Sequence, residues 1–376
     1  MAKMKEVIFE YSVRNKSGED IPVYSVTNEK GFCTDYFSKE VASKDRTTYK
    51  IVPRGYFAYN PSRINVGSID WQNYEDKVIV SPLYVVFGVS KYIDQQYLLH
   101  YFKSDKMLTL IKEYATGSVR DNLKLSSLEE FPIKLRPIDE QHKIAAVLDK
   151  VSDLITKRRQ QLDKLDEIVK ARFVEMFGTL SHPSQKFKYD ILKNLCRKIT
   201  DGKHGGCTPQ LGSGRYFVGA REIFDDAVHY ETAPEIAIDE FEKDYKRCNL
   251  EIGDLLIVNT GATIGKSAIA CDFRTQHTLL QKSVALLKVK SELINPVFLK
   301  YCYRVNETMY KVESASAQPN LLLSKINTTS IYVPPMALQN QFAAFVEQTE
   351  KSKTTISRSL EQLETLKKAL MQEYFG

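Results

Sequence analysis

The sequence predicts a mixed α/β (α+β) protein with two similar globular domains, each followed by a long helix. The chain carries two copies of one unit, and each copy ends in a stretch with a helical heptad pattern. Its length of 376 residues exceeds one ordinary core, which favours two or more domains. The predicted segments are a first globular domain (1–130), a first helical region (131–178), a second globular domain (179–328) and a second helical region (329–376).

The internal repeat is clearest where the two helical regions end. The stretch "LDKLDEIVKARFVEMFG" ends at Gly178 and "LEQLETLKKALMQEYFG" ends at Gly376, an offset of 376 − 178 = 198 residues. The same offset pairs residues further upstream: Ala145 with Ala343, Gln141 with Gln339, and Asn122 with Asn320. Matches at one constant offset over this length indicate a duplication.

Each helical region has apolar residues at alternating steps of four and three, which is typical of a helix that packs along one seam. About 40 helical residues would span about 60 Å at 1.5 Å per residue, so two such helices could bury their seams against each other. Packing onto the globular domains is the alternative. Polar residues interrupt the seams at Arg158, Arg172, Thr349, Lys353 and Lys367. They could fix the register, or they could be surface positions near the helix ends. The predicted apolar seam residues are Ile144, Leu148, Val151, Ile155, Leu162, Leu165, Val169, Phe342, Val346, Ile356, Leu360, Leu363 and Leu370.

The globular segments combine strand and helix patterns. "YKIVPRGYFAYN", "DLLIVNT", "SPLYVVFGV" and "SVALLKV" predict strands, and "DQQYLLHYFKS" and "NPVFLKYCYRV" predict helices that follow them. Each segment then has a polar loop, "ATGSVRDN" or "SASAQPNL". Loops on a rigid scaffold commonly carry recognition.

The stretch "TGATIGKS" (260–267) follows an apolar strand and is similar to a phosphate-binding loop. That loop needs four residues between its glycines and a helix after them, whereas here three residues separate the glycines and a strand pattern follows. The counterpart "RINVGSI" has Ser68 where Lys266 stands. We therefore expect a glycine-bearing strand turn and no NTPase.

The composition favours a globular protein without a membrane span. Hydrophobic residues make up 43% and charged residues 27%, with no apolar run of about 18 residues and no leader pattern, so we expect a cytoplasmic protein. The formal net charge of +6 permits DNA as a partner without requiring it. The six cysteines are scattered and His204 with Cys207 lacks further ligands, so neither a disulfide framework nor a metal site is predicted.

The order globular, helical, globular, helical resembles the specificity subunits of type I restriction–modification systems. The helix openings "IKLRPIDEQHKIAAVL" and "IYVPPMALQNQFAAFV" and the patterns "EIGDLLIVNTGATIG" and "SPLYVVF" carry the resemblance, which covers essentially the whole chain. One departure is Leu338, which replaces the acidic residue found at Glu140.

The resemblance implies two target recognition domains, each of which reads one half of a split double-stranded DNA site. The two helices would pair as an antiparallel coiled coil with pseudo-two-fold symmetry, set the spacing and dock two adenine-N6 methyltransferase (M) subunits. Restriction (R) subunits would bind that core. S-adenosylmethionine, ATP and Mg would be bound by these partners, with no cofactor on this chain.

The chain lacks the residues that an adenine methyltransferase uses to grip a flipped base. "YVPPM" (332–336) has two prolines but neither the preceding amide nor the following aromatic residue, and no acidic cluster indicates a nuclease. We therefore expect a non-catalytic chain. The alternative in another class is a two-domain coiled-coil scaffold that binds only protein, which would show apolar patches where a DNA reader gathers basic loops.

The candidate DNA contacts are polar and basic residues in the strand turns and loops, because such side chains read base edges and phosphates. For each residue the alternative is a solvated loop side chain, and for Asn122 and Asn320 a local turn or cap bond. In the first domain the candidates are Asn60, Ser62, Arg63, Asn65, Arg120, Asn122 and Lys124. In the second domain they are Asn259, Thr260, Thr263, Lys266, Gln318, Asn320 and Lys325, together with Lys203, His204 and Thr208 from the loop "TDGKHGGCTPQ".

Overall fold

The chain forms two compact units in a computed structural model that describes residues 2–34, 45–115, 122–311 and 319–376. Unit 1 comprises Met1–Arg159 with Arg358–Gly376, and unit 2 comprises Gln160–Ser357. Each unit thus contains a globular part and segments of both long helices. The predicted boundaries at residues 130, 178 and 328 separate globular from helical segments, a different division from these two units, and they stay predictions.

The first half of the chain is a run of short strands followed by helices. Its strands are β1 (Ala2–Lys3), β2 (Ile8–Glu10), β3 (Ser25–Thr27), β4 (Gly31–Cys33), β5 (Lys50–Pro53), β6 (Phe57–Tyr59), β7 (Ile69–Trp71), β8 (Lys77–Val80), β9 (Val85–Val89) and β10 (Pro132–Ile133). Its helices are α1 (Gln95–Phe102), α2 (Asp105–Tyr114), α3 (Leu125–Glu129) and the long helix α4 (Ile138–Phe177).

The second half repeats this order with additional short elements. Its strands are β11 (Lys188–Ile191), β12 (Cys196–Asp201), β13 (Tyr216–Val218), β14 (Ile223–Phe224), β15 (Ala227–Val228), β16 (Leu255–Val258), β17 (Ser267–Ile269), β18 (Thr278–Leu280), β19 (Val284–Val289) and β20 (Ser330–Val333). Its helices are α5 (Leu192–Leu195), α6 (Ile238–Asp244), α7 (Pro296–Val305), α8 (Leu323–Thr328) and the long helix α9 (Met336–Phe375).

The duplication is confirmed by the bounds of corresponding elements. Helices α4 and α9 each have 40 residues and begin 336 − 138 = 198 residues apart. Strands β7 and β17 begin at the same offset, 267 − 69 = 198. The fold is therefore a repeated α+β unit, as the sequence predicts.

Each unit contains a four-stranded antiparallel sheet with the same strand order in space. In unit 1 the order is β2-β9-β6-β7, and in unit 2 it is β12-β19-β16-β17. The inner strands β6, β16 and β19 are buried along their whole length and β9 is buried at its centre, where the rings of Phe57 and Phe87 stack with centroids 5.1 Å apart. The segment "YKIVPRGYFAYN" forms two strands in different sheets, because Gly55 adopts a left-handed φ of 86° and turns the chain between β5 and β6.

Within unit 1, segments of α4 and α9 run antiparallel. The Arg136 guanidinium lies 3.4 Å from the backbone oxygen of Tyr374, and Arg159 pairs with Glu364 at 2.6 Å. Moving forward along α4 therefore means moving back along α9. Phe375 is buried in the core of the globular part, with its ring 5.2 Å from that of Tyr97.

Within unit 2, the other segments of the same two helices are also antiparallel. Lys353 Nζ lies 2.9 Å from Asp166 Oδ1, and the rings of Phe173 and Phe342 lie 5.3 Å apart. Phe173 also stacks on Phe298 of α7, so the helix segments and the globular part of unit 2 share one core.

The predicted seam residues differ in burial along the helices. Those near the globular parts are buried: Ile144, Leu148, Val151, Ile155, Val169, Phe342 and Val346. The others are partly exposed: Leu162, Leu165, Ile356, Leu360, Leu363 and Leu370. Of these, Leu370 lies near the end of α9 and packs against the core of unit 1. The ends of the seam therefore pack with the domain cores, so both packing modes weighed above contribute. The polar seam residue Lys353 is compensated by Asp166 and by Glu350 at 3.1 Å.

A buried glutamine fastens the start of α4 to the globular part of unit 1. The side chain of Gln141 is fully buried, and its Oε1 accepts a hydrogen bond from the backbone N–H of Asp94 at 2.9 Å. Its Nε2 donates to the backbone oxygens of Tyr92 (3.0 Å) and Arg136 (2.8 Å). One side chain thus joins the loop before α1 to the entry of the long helix.

The equivalent glutamine makes the same contacts in unit 2. Gln339 is fully buried, accepts from the backbone N–H of Asn295 at 2.8 Å and donates to the backbone oxygens of Pro334 (2.8 Å) and Leu293 (3.3 Å). This contact gives a physical reason for the glutamine that both copies carry, because a buried backbone N–H requires an acceptor.

We expect Gln339→Leu to loosen the entry of α9. The substitution leaves the partly buried amide of Asn295 and the buried carbonyl of Pro334 without these partners, which costs about 1–3 kcal/mol in the free energy of unfolding. Hydrogen exchange at the Asn295 amide should accelerate, and the urea midpoint should fall. The control Gln348→Leu changes an exposed glutamine on the same helix and should leave both readouts close to wild type. Equal effects of the two variants would contradict this role.

No helix in the described ranges is both long and apolar enough to cross a membrane.

Candidate nucleic-acid interface

The strand turn of unit 1 is built by its own side chains. Asn60 Oδ1 accepts hydrogen bonds from the backbone N–H of Ser62 (3.1 Å) and from its hydroxyl (2.9 Å), which closes an Asx turn. Gly67 then takes a left-handed φ of 88° and leads into β7. Arg63 is exposed on this turn, and Asn65 is partly exposed.

The later loop of unit 1 lies beside this turn. The backbone N–H of Leu123 donates to the oxygen of Pro61 at 3.2 Å, and the Tyr59 hydroxyl donates to the oxygen of Leu123 at 3.1 Å. Asn122 and Lys124, on either side of Leu123, are exposed. The structure therefore brings the two predicted loops together, while Arg120 falls outside the described residues.

Unit 2 repeats this juxtaposition. The backbone N–H of Leu321 donates to the oxygen of Asn259 at 2.7 Å, and that of Gly261 donates to the oxygen of Pro319 at 3.1 Å. The Thr260 hydroxyl lies 3.2 Å from Asn320 Oδ1, which ties the two loops by their side chains. Gln318 falls outside the described residues.

The turn glycine of unit 2 is required by its surroundings. Gly265 has a left-handed φ of 91°, and a Cβ at this position would lie 2.6 Å from the ring of Tyr310. The next element is the strand β17 and not a helix, so the stretch lacks the helix N-terminus of a phosphate-binding loop.

A cleft of about 450 Å³ forms where the loops of unit 2 meet. Predicted and additional residues share its lining: Asn259, Thr260, Asn320, His204, Lys282, Asp201, Leu321, Leu322, Leu323 and Ser324. Lys282 is an exposed cation that sequence reasoning missed. Asn259 is almost fully buried, so it shapes the cleft, whereas Thr260, Asn320 and Lys282 are accessible from it.

The glycine-rich loop that carries Lys203, His204 and Thr208 is held by acidic residues. Lys203 Nζ lies 2.8 Å from both Asp244 and Glu240, and these bonds raise the pKa of Lys203. Glu240 also accepts from the backbone N–H and the hydroxyl of Thr208, and together with Lys203 this lowers the pKa of Glu240 to about 2. Lys203 and Thr208 thus have structural partners, while the imidazole of His204 is exposed at the cleft.

The remaining described candidates of unit 2 do not line this cleft. Lys266 lines a separate cleft of about 860 Å³ together with Asp226, Arg304 and Lys353. The Lys325 ammonium donates to the backbone oxygen of Lys311 at 2.7 Å. The backbone oxygen of Thr263 accepts from Lys266 N at 3.1 Å, and Thr263 is partly exposed.

An ion-pair chain crosses this second cleft within unit 2. Asp226 adopts a left-handed φ of 63° at the tip of the β14–β15 hairpin and pairs with Arg304 and Lys300 of α7. Arg304 lies 3.8 Å from Asp166 of α4, which pairs with Lys353 of α9. These ion pairs link the globular part of unit 2 to both helix segments of the unit.

Within the part of the chain that the structure describes, no group of three His, Cys, Asp or Glu residues could hold a metal ion.

A family model described as "Type I restriction modification DNA specificity domain" matches residues 3–166 and 210–365. The two matches together cover more than half of the chain, with one match in each copy of the repeat. The chain belongs to this family.

Two proteins of Methanocaldococcus jannaschii are among its relatives. The type I restriction enzyme MjaIX specificity subunit is 25% identical over 272 residues, which cover 67% of this chain and 61% of that protein. The MjaVIII specificity subunit is 22% identical over 301 residues, which cover 75% of this chain and 69% of that protein. The matched region thus spans less than two thirds of the first relative.

Solved structures share the fold over the full length. A chain from a study of complex assembly and conformational transition of the type I R-M system superposes with a TM-score of 0.60 at 17% identity, covering 100% of this chain and 96% of that chain. The type I restriction-modification S subunit from M. genitalium gives a TM-score of 0.57 at 15% identity, with coverages of 100% and 95%.

We expect Lys282→Gln to weaken the binding of duplex DNA. An exposed lysine at the cleft can contact a phosphate. The binding constant falls with salt, and each lost phosphate contact reduces the magnitude of the slope of log K against log salt by about 0.9. The slope is measured by fluorescence anisotropy with the full chain and a labelled duplex. Lys351→Gln removes an equal charge from α9, where Lys351 pairs with Glu347, and should leave the slope unchanged. A slope that falls equally in both variants would contradict a contact at the cleft.

Proposed function

We propose that this chain is the DNA-binding specificity subunit of a type I restriction–modification complex and reads a split site with two target recognition domains. The observation that carries the proposal is the pair of matches to a DNA specificity domain, one in each copy of the repeat. A duplicated reader suits a duplex whose backbone has two-fold symmetry. Divergent loops would allow the two half-sites to differ.

The loop geometry supports DNA reading in both units. In each unit a strand turn and a later loop are joined by backbone hydrogen bonds. In unit 1 the joined loops expose Arg63, Asn122 and Lys124. In unit 2, one cleft is lined by Thr260, Asn320 and Lys282. Asparagine can read adenine in the major groove, and lysine and threonine can bind phosphates. The turns and loops that carry these side chains adjoin the buried strands β6, β16 and β19, which can hold them in place as a sequence reader requires.

We further propose that the long helices dock two M subunits and that R subunits join the same core. The helices expose apolar side chains that water disfavours. Val147 and Leu154 lie seven residues apart on α4 in unit 1 with exposed fractions of 41% and 37%, and Ile168 is 49% exposed in unit 2. Exposed apolar residues in register along a helix are suited to a helical partner.

The chain itself is non-catalytic in this proposal. S-adenosylmethionine, ATP and Mg belong to the partner subunits, and the complex acts in the cytoplasm on cellular or incoming DNA. The specificity chain contributes the site and the spacing, and the partners contribute the methyl transfer and the cleavage.

Exchange of one globular domain should change one half of the recognised site. The chain is expressed with its methyltransferase subunit in a methylation-free host, and N6-methyladenine is mapped by single-molecule sequencing. We expect a split motif with modified adenines on both strands. Replacing residues 1–130 with those of a second specificity subunit should alter one half, and replacing residues 179–328 should alter the other.

A methyltransferase subunit inactivated at its active site is the control and should leave no modification. If an assembled complex neither methylates nor binds duplex DNA, the proposal is contradicted and a protein-binding scaffold remains. If both halves change on exchange of a single domain, the assignment of one half-site to each domain fails.

A further inference from the structure

A cleft of about 560 Å³ in unit 1 gathers cations on the long helices, and none of the described candidate DNA contacts lines it. Its walls come from the α1–α2 connection, from α4 and from α9. Its charged residues are Lys103, Arg159, Lys367 and Lys368 against Asp105 and Glu364. Four positive and two negative charges leave a net charge of +2.

The cleft has few internal counter-ions for this charge. Arg159 is paired with Glu364 at 2.6 Å. In the described ranges, the ammonium groups of Lys103, Lys367 and Lys368 have no carboxylate within 4.0 Å. The nearby Asp149 is already bonded to His100 and Gln96.

Lys367 is the least expected residue in this cleft, because it lies at a seam position of α9. Its counterpart in the repeat, at 367 − 198 = 169, is Val169, which is almost fully buried in the core of unit 2. Lys367 is instead partly buried, and burial together with the neighbouring charges of Lys103 and Arg159 lowers its pKa. A partly buried ammonium among cations destabilises the fold unless an anion compensates it.

A second lysine at a seam position, Lys353, shows how such a charge is compensated within the chain. Lys353 lies on the same helix and is compensated by Asp166 and Glu350 within unit 2. In the described part of unit 1, Lys367 has no direct ion pair of this kind. The carboxylate whose charge acts on it, Asp149, already binds His100 and Gln96, so the Lys367 ammonium is left for an anion from outside the chain.

We propose that this cleft of unit 1 binds phosphates of the DNA backbone, as a sequence-independent contact made by the helices. The inference rests on the proposed function, because it takes duplex DNA as the ligand. Duplex DNA carries one negative charge per about 1.7 Å of its axis, so adjacent phosphates can match several lysines, whereas one carboxylate of a protein partner cannot. Lysine ammonium groups bind phosphate as point charges from several directions. DNA that is not read by the recognition loops offers its backbone for such a contact.

The variant Lys367→Met separates a ligand site from a structural lysine, because the two roles predict opposite effects on stability. Methionine keeps an unbranched side chain in the seam and removes the uncompensated charge, so the unfolding midpoint should rise. Binding of the full chain to a mixed-sequence duplex should weaken, and the magnitude of the slope of log K against log salt should decrease by about 0.9. Inorganic phosphate should raise the melting temperature of the wild type more than that of the variant, at equal ionic strength.

The matched control is Lys157→Met, which removes an exposed lysine of α4 outside the cleft. It should leave the unfolding midpoint, the salt slope and the response to phosphate at wild-type values. Equal changes in both variants would overturn the site, as would a fall in the unfolding midpoint of Lys367→Met.

Further outcomes show whether only the phosphate site is wrong or the proposed DNA-binding function is wrong as well. If Lys367→Met binds DNA like the wild type but loses assembly with the methyltransferase subunit, the ligand is an acidic protein surface and the phosphate site is overturned. If the wild-type chain, alone and assembled, binds no duplex DNA, the proposed function fails together with the site. Normal DNA binding by the wild type with unchanged binding by Lys367→Met overturns the site alone.

Discussion

The buried glutamine at the start of each long helix is the contact on which the arrangement of each unit depends. Gln141 and Gln339 each accept from a backbone N–H before a domain helix and donate to a carbonyl just before a long helix. These bonds fix where the long helix leaves the domain. The position of the recognition loops relative to the helix segment of the same unit follows from that exit point.

Beyond this shared glutamine contact, the two units use different side-chain contacts to hold the globular part on the helix segments. Unit 1 has a hydrogen-bonded chain in which Trp71 donates to Gln96, and Gln96 donates to Asp149, which also contacts His100. Unit 2 has an aromatic cluster and the ion-pair chain that begins at Asp226. The duplication therefore conserves the hydrogen-bonded frame, while the side chains that fill it differ between the copies. Such divergence is compatible with two domains that read different half-sites.

The sequence predicted the features that the duplication repeats. The constant offset of 198 residues located both long helices and both strand turns, because a pattern that occurs in both copies rarely arises by chance. It also marked Gln141 and Gln339, although not their hydrogen bonds. The pairing of the strand turn with the later loop depends on sheet order and on contacts such as Leu321 N to Asn259 O, which span some 60 residues and leave no local pattern.

The parts that could not be predicted are those without a repeat partner. Lys282 corresponds to Tyr84, so the offset gave no signal for it. The ion pairs of Lys203 with Glu240 and Asp244 join segments about 40 residues apart, and composition alone made Lys203 resemble a free loop cation. The surplus charge at Lys367 appears only when the neighbours of a seam position are known. Whether a lysine is free to bind DNA depends on its ion-pair partners, and the fold determines which residues these are.

The central claim, that each unit contacts its own segment of one DNA duplex, is tested most directly by site-specific photo-crosslinking. A photoreactive amino acid is placed at Lys124 in unit 1 or at Ser324 in unit 2, both exposed beside the proposed surfaces. The account predicts that the two positions crosslink to two separate segments of the same recognised duplex, at one fixed distance. Absence of crosslinks from an assembled complex, or crosslinks scattered without regard to the recognised sequence, would contradict it.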